Sequence, residues 1–346
     1  MASLQSKRVA VIMPVYQAAD YLRQAVESVL GQTHHALKLI AIDDGSTDGS
    51  GKLLDELAQG DGRIQVLHQE NRGAVETLNR GLDVVVQSDA DFVAIMHADD
   101  LCLPARLEKQ IAYLEANPLI DLCGTWIRTF GGAVEEERRF PGDPRFTKPF
   151  LLFWCCFAHP TMMLRRHVIN GGLRYDPAIP MPCEDYGLWA LASRRYQMGN
   201  VPEVLLRYRE HASQNGTLHR AKTAVLTEHI RRRQLEWLGV VPTAEEMMLH
   251  QRLAESEFTG TWIFTQDAGE WLERLCRTNV DSQVYNAEAF VKVLGGRWAA
   301  VCIDAAARAS QGDKKIIWKM FWDSPLAAAV DRSLEKNRSI PDQTGF

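Results

Sequence analysis

No stretch of the 346-residue chain reaches the ~18 to 20 uncharged apolar residues that a membrane-spanning helix needs, so no segment is expected to cross a bilayer. Cys-x-x-Cys pairs are also missing: the seven cysteines are odd in number and read as reduced thiols rather than a disulfide framework. Adjacent Cys155 and Cys156 lie in an aromatic run and read as packing. Met1 to Arg8 leads into an apolar strand without the apolar core of a signal peptide, and the expected location is the cytoplasm. There is no basic excess, with 39 Lys and Arg against 44 Asp and Glu and a net charge of −5, which argues against a general nucleic-acid binder. After the first strand there is no Gly-x-Gly-x-x-Gly and no basic, glycine-rich loop, which argues against a dehydrogenase and against a nucleotidyltransferase gripping a triphosphate. Internal repeats are absent.

What the chain does have is a set of apolar strands that stop abruptly at polar groups. Leu37 to Ile42 runs into Asp43-Asp44-Gly45-Ser46-Thr47-Asp48, Val9 to Val15 carries Pro14 and ends at Tyr16, and Phe92 to Met96 runs into His97-Ala98-Asp99-Asp100. Ligands of open α/β sheets sit beyond the carboxyl ends of such strands, so a tyrosine and two acidic pairs are expected to meet at one sheet edge. Strands at 8–15, 37–43, 64–68 and 91–96 alternate with helical spacing at 21–30 (Asp20 as N-cap), 49–59, 73–87 and 104–115, the rhythm of a mainly parallel sheet flanked by helices. Further strands are expected at 121–130, 161–164 and 201–209, a loop at 134–150 and a helix at 184–197. Past Gly216 only helical spacing remains, interrupted at Pro242-Thr243 and Thr278-Asn279. Six of the nine tryptophans fall there, so this region has apolar surface to bury. Two modules are therefore expected: an α/β domain over 1–215 and an all-helical domain over 216–346.

Seven blocks in order, Pro14-Val15-Tyr16, Asp43 to Asp48, Asn71-Arg72-Gly73, Asp99-Asp100, His159-Pro160, Glu184-Asp185-Tyr186 and Tyr208-Arg209-Glu210-His211, resemble the inverting nucleotide-sugar glycosyltransferases of family 2, of the bacterial polysaccharide and O-antigen type. The resemblance covers about residues 8 to 215 and implies the fold called GT-A. It also implies a sugar transfer from a nucleotide-sugar, with UDP expected as the nucleotide, to a hydroxyl of a glycan or lipid-linked glycan.

A uracil ring needs an aromatic face and an acceptor for its imide proton, which Tyr16 beside Pro14 and Asp44 can supply. A structural role for Asp44 would instead be an Asx turn onto the Gly-Ser amides. Asp48 reads as the cap of the 49–59 helix. Arg72 can reach the nucleotide or stand exposed on its loop. The resemblance makes Asp100 the ligand of a divalent metal, Mn2+ or Mg2+, that bridges the donor phosphates. It assigns Asp99 to the ribose or phosphate surroundings, and His211, between Arg209 and Ser213, to completion of the metal shell. It makes Asp185 the catalytic base, with Glu184 as helix cap. His97 departs from the family's usual aspartate and puts metal preference in question. Gln17 stands where Asn is usual. His159 and Pro160 are expected to shape the acceptor pocket, with Phe157 and Trp154 as sugar-stacking faces or ordinary core. The basic, aromatic stretch Lys314 to Trp322 and the basic run from His219 to Arg233 fit peripheral contact with the inner face of the membrane. Packing on the catalytic domain or a homo-oligomer contact fits them equally. A noncatalytic nucleotide-sugar-binding scaffold is the alternative function, with His97 as its support.

Overall fold

The computed structural model describes residues 6–211 and 220–330; Ser213, His219 and the expected 215/216 boundary lie outside them. Nine strands form one mixed sheet in the order β3-β2-β1-β4-β8-β6-β9-β5, with β7 paired to β6. The first four strands, β1 (Val9–Val15), β2 (Leu37–Asp43), β3 (Ile64–His68) and β4 (Phe92–Ile95), pair in parallel. They alternate with α1 (Ala19–Leu30), α2 (Ser50–Gly60) and α3 (Ala74–Val86), and α4 (Arg106–Ala116) follows the short β5 (Leu101–Cys102). These strands are covered on both faces, which is why they read as continuous apolar runs: Val9, Val11, Leu39, Ala41, Phe92 and Ala94 are buried on one face, and Ile12, Ile40, Ile42, Val93 and Ile95 on the other.

The second half of the sheet comprises β6 (Leu122–Phe130), β7 (Glu137–Arg138), β8 (Met163–Arg165) and β9 (Met198–Arg209), with β8 antiparallel to both β4 and β6. Strand order reverses at β1: β2 lies on one side and β4 on the other. Pairing of β1 with β4 stops at Ile12, two residues before Pro14, whose ring nitrogen has no hydrogen to donate. Beyond that point the two strands no longer pair.

Three local expectations change. Ala18, not Asp20, occupies the N-cap of α1, and Asp20 sits in the first turn. The 134–150 segment is not all loop, because Pro144–Phe150 forms α5 with Phe146 and Phe150 buried. The helix that begins at Glu184 ends at Ala192 (α7; α6 spans Arg166–Asn170).

Contacts divide the described residues into two compact units, 6–144 with 156–211 and 220–223, and 145–155 with 224–330. The helical unit holds α8 (Arg220–Leu238) from Ala224 onward, α9 (Ala244–Glu255), α10 (Trp262–Ser282), α11 (Ala287–Arg308) and α12 (Gln311–Asp323). Its core includes Trp271, Phe290, Leu294, Trp298 and Phe321. Segment 145–155 is clasped within it. The carbonyl of Leu151 accepts from Gln234, that of Leu152 from His250 at 3.0 Å, and that of Phe153 from buried Arg231 at 2.8 Å. The Arg297 guanidinium lies 3.8 Å from the Trp154 ring centre. Trp154 is thus a partner of the helices, and Arg231 is a core residue rather than part of a basic face.

Thr243 caps α9 in a reciprocal box with Glu246, as its position after Pro242 suggests. Thr278-Asn279 does not interrupt α10. Instead the Asn279 amide pairs with both backbone groups of Tyr285 and fixes the turn after the helix. On α12, Ile317 and Phe321 are buried while Ile316, Lys315 and Lys319 are exposed. No helix among the described residues is long and apolar enough to cross a membrane.

At the end of β3, the His68 ring bridges Asp43 and Asp55 at 3.1 Å each, and hydrogen bonds to these two carboxylates raise its pKa above the ordinary 6.5. A raised folded value means the bridge contributes fully below the unfolded value and is lost as pH rises through the folded one. His68→Gln should therefore cost more stability in urea unfolding at about pH 5.5 than at about pH 8.5.

Candidate active site

Tyr16 follows β1 directly and is 54% exposed. Gln17 next to it adopts a left-handed backbone (φ 51°), a conformation Asn tolerates better than Gln. It is held by its amide on Ser46 Oγ (3.1 Å) and by the Thr47 amide on its own Oε1 (2.7 Å). Asp48 fastens the same two loops, accepting from the amides of Ala19 (2.9 Å) and Ser50 (3.0 Å) at the starts of α1 and α2. Burial opposes its charge, but hydrogen bonds from the Ser50 hydroxyl and these amides prevail and hold its pKa low.

After β2 it is Asp43 that folds back onto the turn, accepting from the Ser46 amide, three residues on, at 3.0 Å. Asp44 is 4% exposed and turns to the neighbouring loop: it accepts from Gln69 Nε2 (2.7 Å), Arg72 N (2.9 Å) and Gly73 N (2.9 Å). Gly45 must be glycine here, because its φ is +74° and a Cβ would stand 2.8 Å from Asn71 N. The Arg72 side chain is exposed at the rim.

Beyond β4, His97, Asp99 and Asp100 each bring a donor atom within 4.8 Å of the others. Asp100 is fully buried. Its Oδ1 accepts from Arg209 N at 2.8 Å, and its Oδ2 has no hydrogen-bond partner. Burial, reinforced by the Asp99 charge, pushes its pKa well up, against the opposing charges of Arg106 and Arg209. Arg106 lies fully buried behind it, donating to the Ile95 carbonyl at 2.9 Å. Arg209 also donates from Nε to the Asp99 carbonyl (2.7 Å), which bolts the end of β9 to this loop. His211 Nε2 lies 3.0 Å from Asp99 Oδ2, so its contact in this cluster is with Asp99. A buried unpartnered carboxylate oxygen beside a second carboxylate and an imidazole suits a divalent cation such as Mn2+, which accepts oxygen and nitrogen donors together.

Glu184 and Asp185 open α7. Glu184 is 8% exposed with Oε2 unpartnered, and burial together with the Asp185 charge pushes its pKa to about 8, so it is mostly protonated at neutral pH. Asp185 is half-buried, with Oδ1 accepting from the Tyr186 amide at 2.6 Å. Tyr208 lies near the end of β9 and is partly buried. Beyond burial, its hydroxyl pKa is raised by Asp100, Asp99 and Asp185, so all three carboxylates act on one phenol. Tyr175 is buried too and is influenced in the same way by Glu184 and Asp185.

His159 is buried between His97 and Tyr175, with Nδ1 2.9 Å from His97 Nε2 and Nε2 2.7 Å from the Tyr175 hydroxyl. Phe157 is 3% exposed with its ring against Trp189, which makes it core rather than a sugar platform. Sequence pattern gives no sign of Arg106 or Tyr175, whose partners are chosen by tertiary contact. Tyr208 stands inside a recognisable block, though nothing local marks its neighbours.

The profile described as Glycosyl transferase family 2 matches residues 10–172. An uncharacterized glycosyltransferase of Haemophilus influenzae is 30% identical over 244 residues, covering 66% of this chain and 73% of that protein. The O-antigen biosynthesis glycosyltransferase WbnJ of Escherichia coli is 32% identical over 209 residues, covering 59% of this chain and 80% of its own length. Among solved structures, S. aureus TarS 1–349 in complex with UDP-GlcNAc superposes with a TM-score of 0.56 at 14% identity, over 91% of this chain and 92% of that one. At that identity the likeness shows the fold, a GT-A sheet with helices following.

Proposed function

The chain belongs to glycosyl transferase family 2 and is a glycosyltransferase, and from that premise we propose that it is a metal-dependent, inverting enzyme that takes its sugar from a UDP-sugar. The acceptor is a hydroxyl of a glycan or lipid-linked glycan in surface polysaccharide synthesis, a reading supported by the likeness to WbnJ. The observation that supports this reading is the cluster of His97, Asp99 and Asp100, whose donor atoms lie within 4.8 Å of one another, together with the half-buried Asp185 at the start of α7.

In this reading Tyr16 stacks on the base beside Pro14. Asp44 holds the 71–73 turn that carries Arg72, with a lone pair left for an imide proton. Asp99 and Asp100, with His211 at Asp99, would hold the divalent cation. When bound, the ion would neutralise charge developing on the departing diphosphate. On the opposite side of the sugar Asp185 takes the acceptor hydroxyl's proton as that oxygen bonds to C1 and the C1–O bond to the diphosphate breaks. Neutral Glu184 keeps a second negative charge away from the base. The exposed Lys315, Ile316 and Lys319 on α12 fit contact with an anionic membrane surface on the cytoplasmic side, where a lipid-linked acceptor would lie.

Incubation with a panel of UDP-, GDP- and TDP-sugars, Mn2+ and a lipid-linked glycan mixture should release UDP, and only with acceptor at full rate. No nucleotide release from any sugar, together with saturable binding, would identify the scaffold instead.

A further inference from the structure

The acidic cluster contains an imidazole that its family resemblance does not call for. His97 Nδ1 stands 3.6 Å from Asp100 Oδ2, too far for a hydrogen bond, and leaves that fully buried oxygen unsatisfied. The gap is close to the ~3 to 3.5 Å that separates adjacent donors on one cation when each metal–donor distance is ~2.1 Å. The ring is 30% exposed, so His97 is reachable from the hollow.

Behind it runs a buried relay, His97 Nε2 to His159 Nδ1 and His159 Nε2 to the Tyr175 hydroxyl. Each of these two short contacts holds one hydrogen, donated from one side or the other. Two proton orders fit the distances. If Tyr175 donates to His159, and His159 to His97 Nε2, then His97 Nδ1 carries a hydrogen and cannot ligate. If His97 Nε2–H donates to His159 and His159 Nε2–H donates to the Tyr175 oxygen, His97 Nδ1 turns a lone pair toward Asp99 and Asp100. Metal-bound histidines generally give their second N–H to such a fixed acceptor.

We infer that His97 is a nitrogen ligand of the cation held by Asp99 and Asp100, and that His159, backed by Tyr175, is the positioning residue that fixes the ring and the proton order for that task. The inference rests on the cation-dependent reading above. A nitrogen donor favours Mn2+, Co2+ or Zn2+ over Mg2+, so this chain should be less tolerant of Mg2+ than an all-carboxylate site.

Pulsed electron paramagnetic resonance of the full chain with Mn2+ and UDP tests this without turnover. Nitrogen hyperfine coupling to Mn2+ is expected in the wild type and in His211→Gln, and should vanish in His97→Asp. That variant keeps Mn2+ on carboxylates while its preference for Mn2+ over Mg2+ falls by ~10-fold or more. His159→Leu should weaken Mn2+ binding by ~10- to 100-fold, and His159→Asn, whose Oδ1 can accept from His97, should restore most of it. Bound Mn2+ without nitrogen coupling, or coupling that survives His97→Asp and is lost in His211→Gln, would overturn the ligand assignment alone. Equal loss in both His159 variants would overturn the positioning role. Failure of the wild type to bind Mn2+ at all would remove the metal-dependent function as well.

Discussion

Asp185→Asn is expected to lower kcat by ~10²- to 10⁴-fold, the range a positioned general base supplies, while the dissociation constant for donor changes by less than ~3-fold. The amide keeps the shape of the side chain and its acceptor oxygen for the Tyr186 amide, so the start of α7 is preserved. Only the ability to take a proton goes. The decisive companion is Glu184→Gln, one residue away. With its pKa at about 8, Glu184 is mostly a neutral acid at pH 7, for which glutamine is a close substitute, and turnover should remain within ~3-fold of wild type. Its stability should change with pH in a defined direction. A carboxyl whose folded pKa is raised destabilises the protein as pH climbs from the unfolded value toward the folded one, so Glu184→Gln should gain on wild type between about pH 4.5 and about pH 8. Calorimetry across that interval checks the sign. Equal loss of turnover in both variants would mean the helix start, rather than a base, is what the reaction needs.

That the two carboxylates of one dipeptide take different environments is something the sequence only half discloses. Strand ends were legible because strands buried on both faces read as unbroken apolar runs, and the step from Ile42 to Asp43 or from Met96 to His97 is abrupt in any hydropathy trace. Which of two adjacent acids turns inward depends on backbone conformation after the strand. Asp43, not Asp44, bonds the Gly-Ser turn, and Asp44 reaches a loop some 28 residues on at Arg72. The His97, His159 and Tyr175 relay was illegible for the same reason: its links span 62 and 16 residues, and no local pattern records them. Segment 144–150 reads as a loop because it has prolines at both ends and charges between. It is helical because Phe146 and Phe150 are buried, one more case of tertiary contact overriding propensity. Asn279 looked like a breaker by type, yet its amide completes the turn after the helix instead of ending it.

Asp100→Asn should separate binding from stability in a way that no ordinary core substitution does. In the metal-free protein the Asp100 carboxylate is fully buried and set against Asp99, with one oxygen satisfied by Arg209 N and the other by nothing among the described residues. Arg106 and Arg209 offset the charge only in part, since burial still drives the pKa up. Asparagine retains an acceptor for Arg209 N, removes the buried charge, and puts an N–H donor where the unpartnered oxygen stands beside Asp99 and His97 Nδ1. Relieving one unsatisfied buried polar atom is worth about 1–3 kcal/mol, so the variant should melt a few degrees above wild type when both are stripped with chelator. Adding Mn2+ with UDP should then reverse the ranking: the wild type gains the linkage energy of a bound ion, about 2.7 kcal/mol at a hundredfold excess over the dissociation constant, and the variant gains almost none. Transfer should fall by ~10²-fold or more for want of charge compensation at the diphosphate. Thermal shift in four conditions, with and without chelator for each protein, reads all of this in one experiment. A variant less stable than wild type in chelator would show that Asp100 serves the fold through its charge, and an undiminished response to Mn2+ would move the ion elsewhere. The predicted crossing of the two melting curves is what a site kept unsatisfied for its ligand should display, because the energy withheld from folding is released only when the cation arrives.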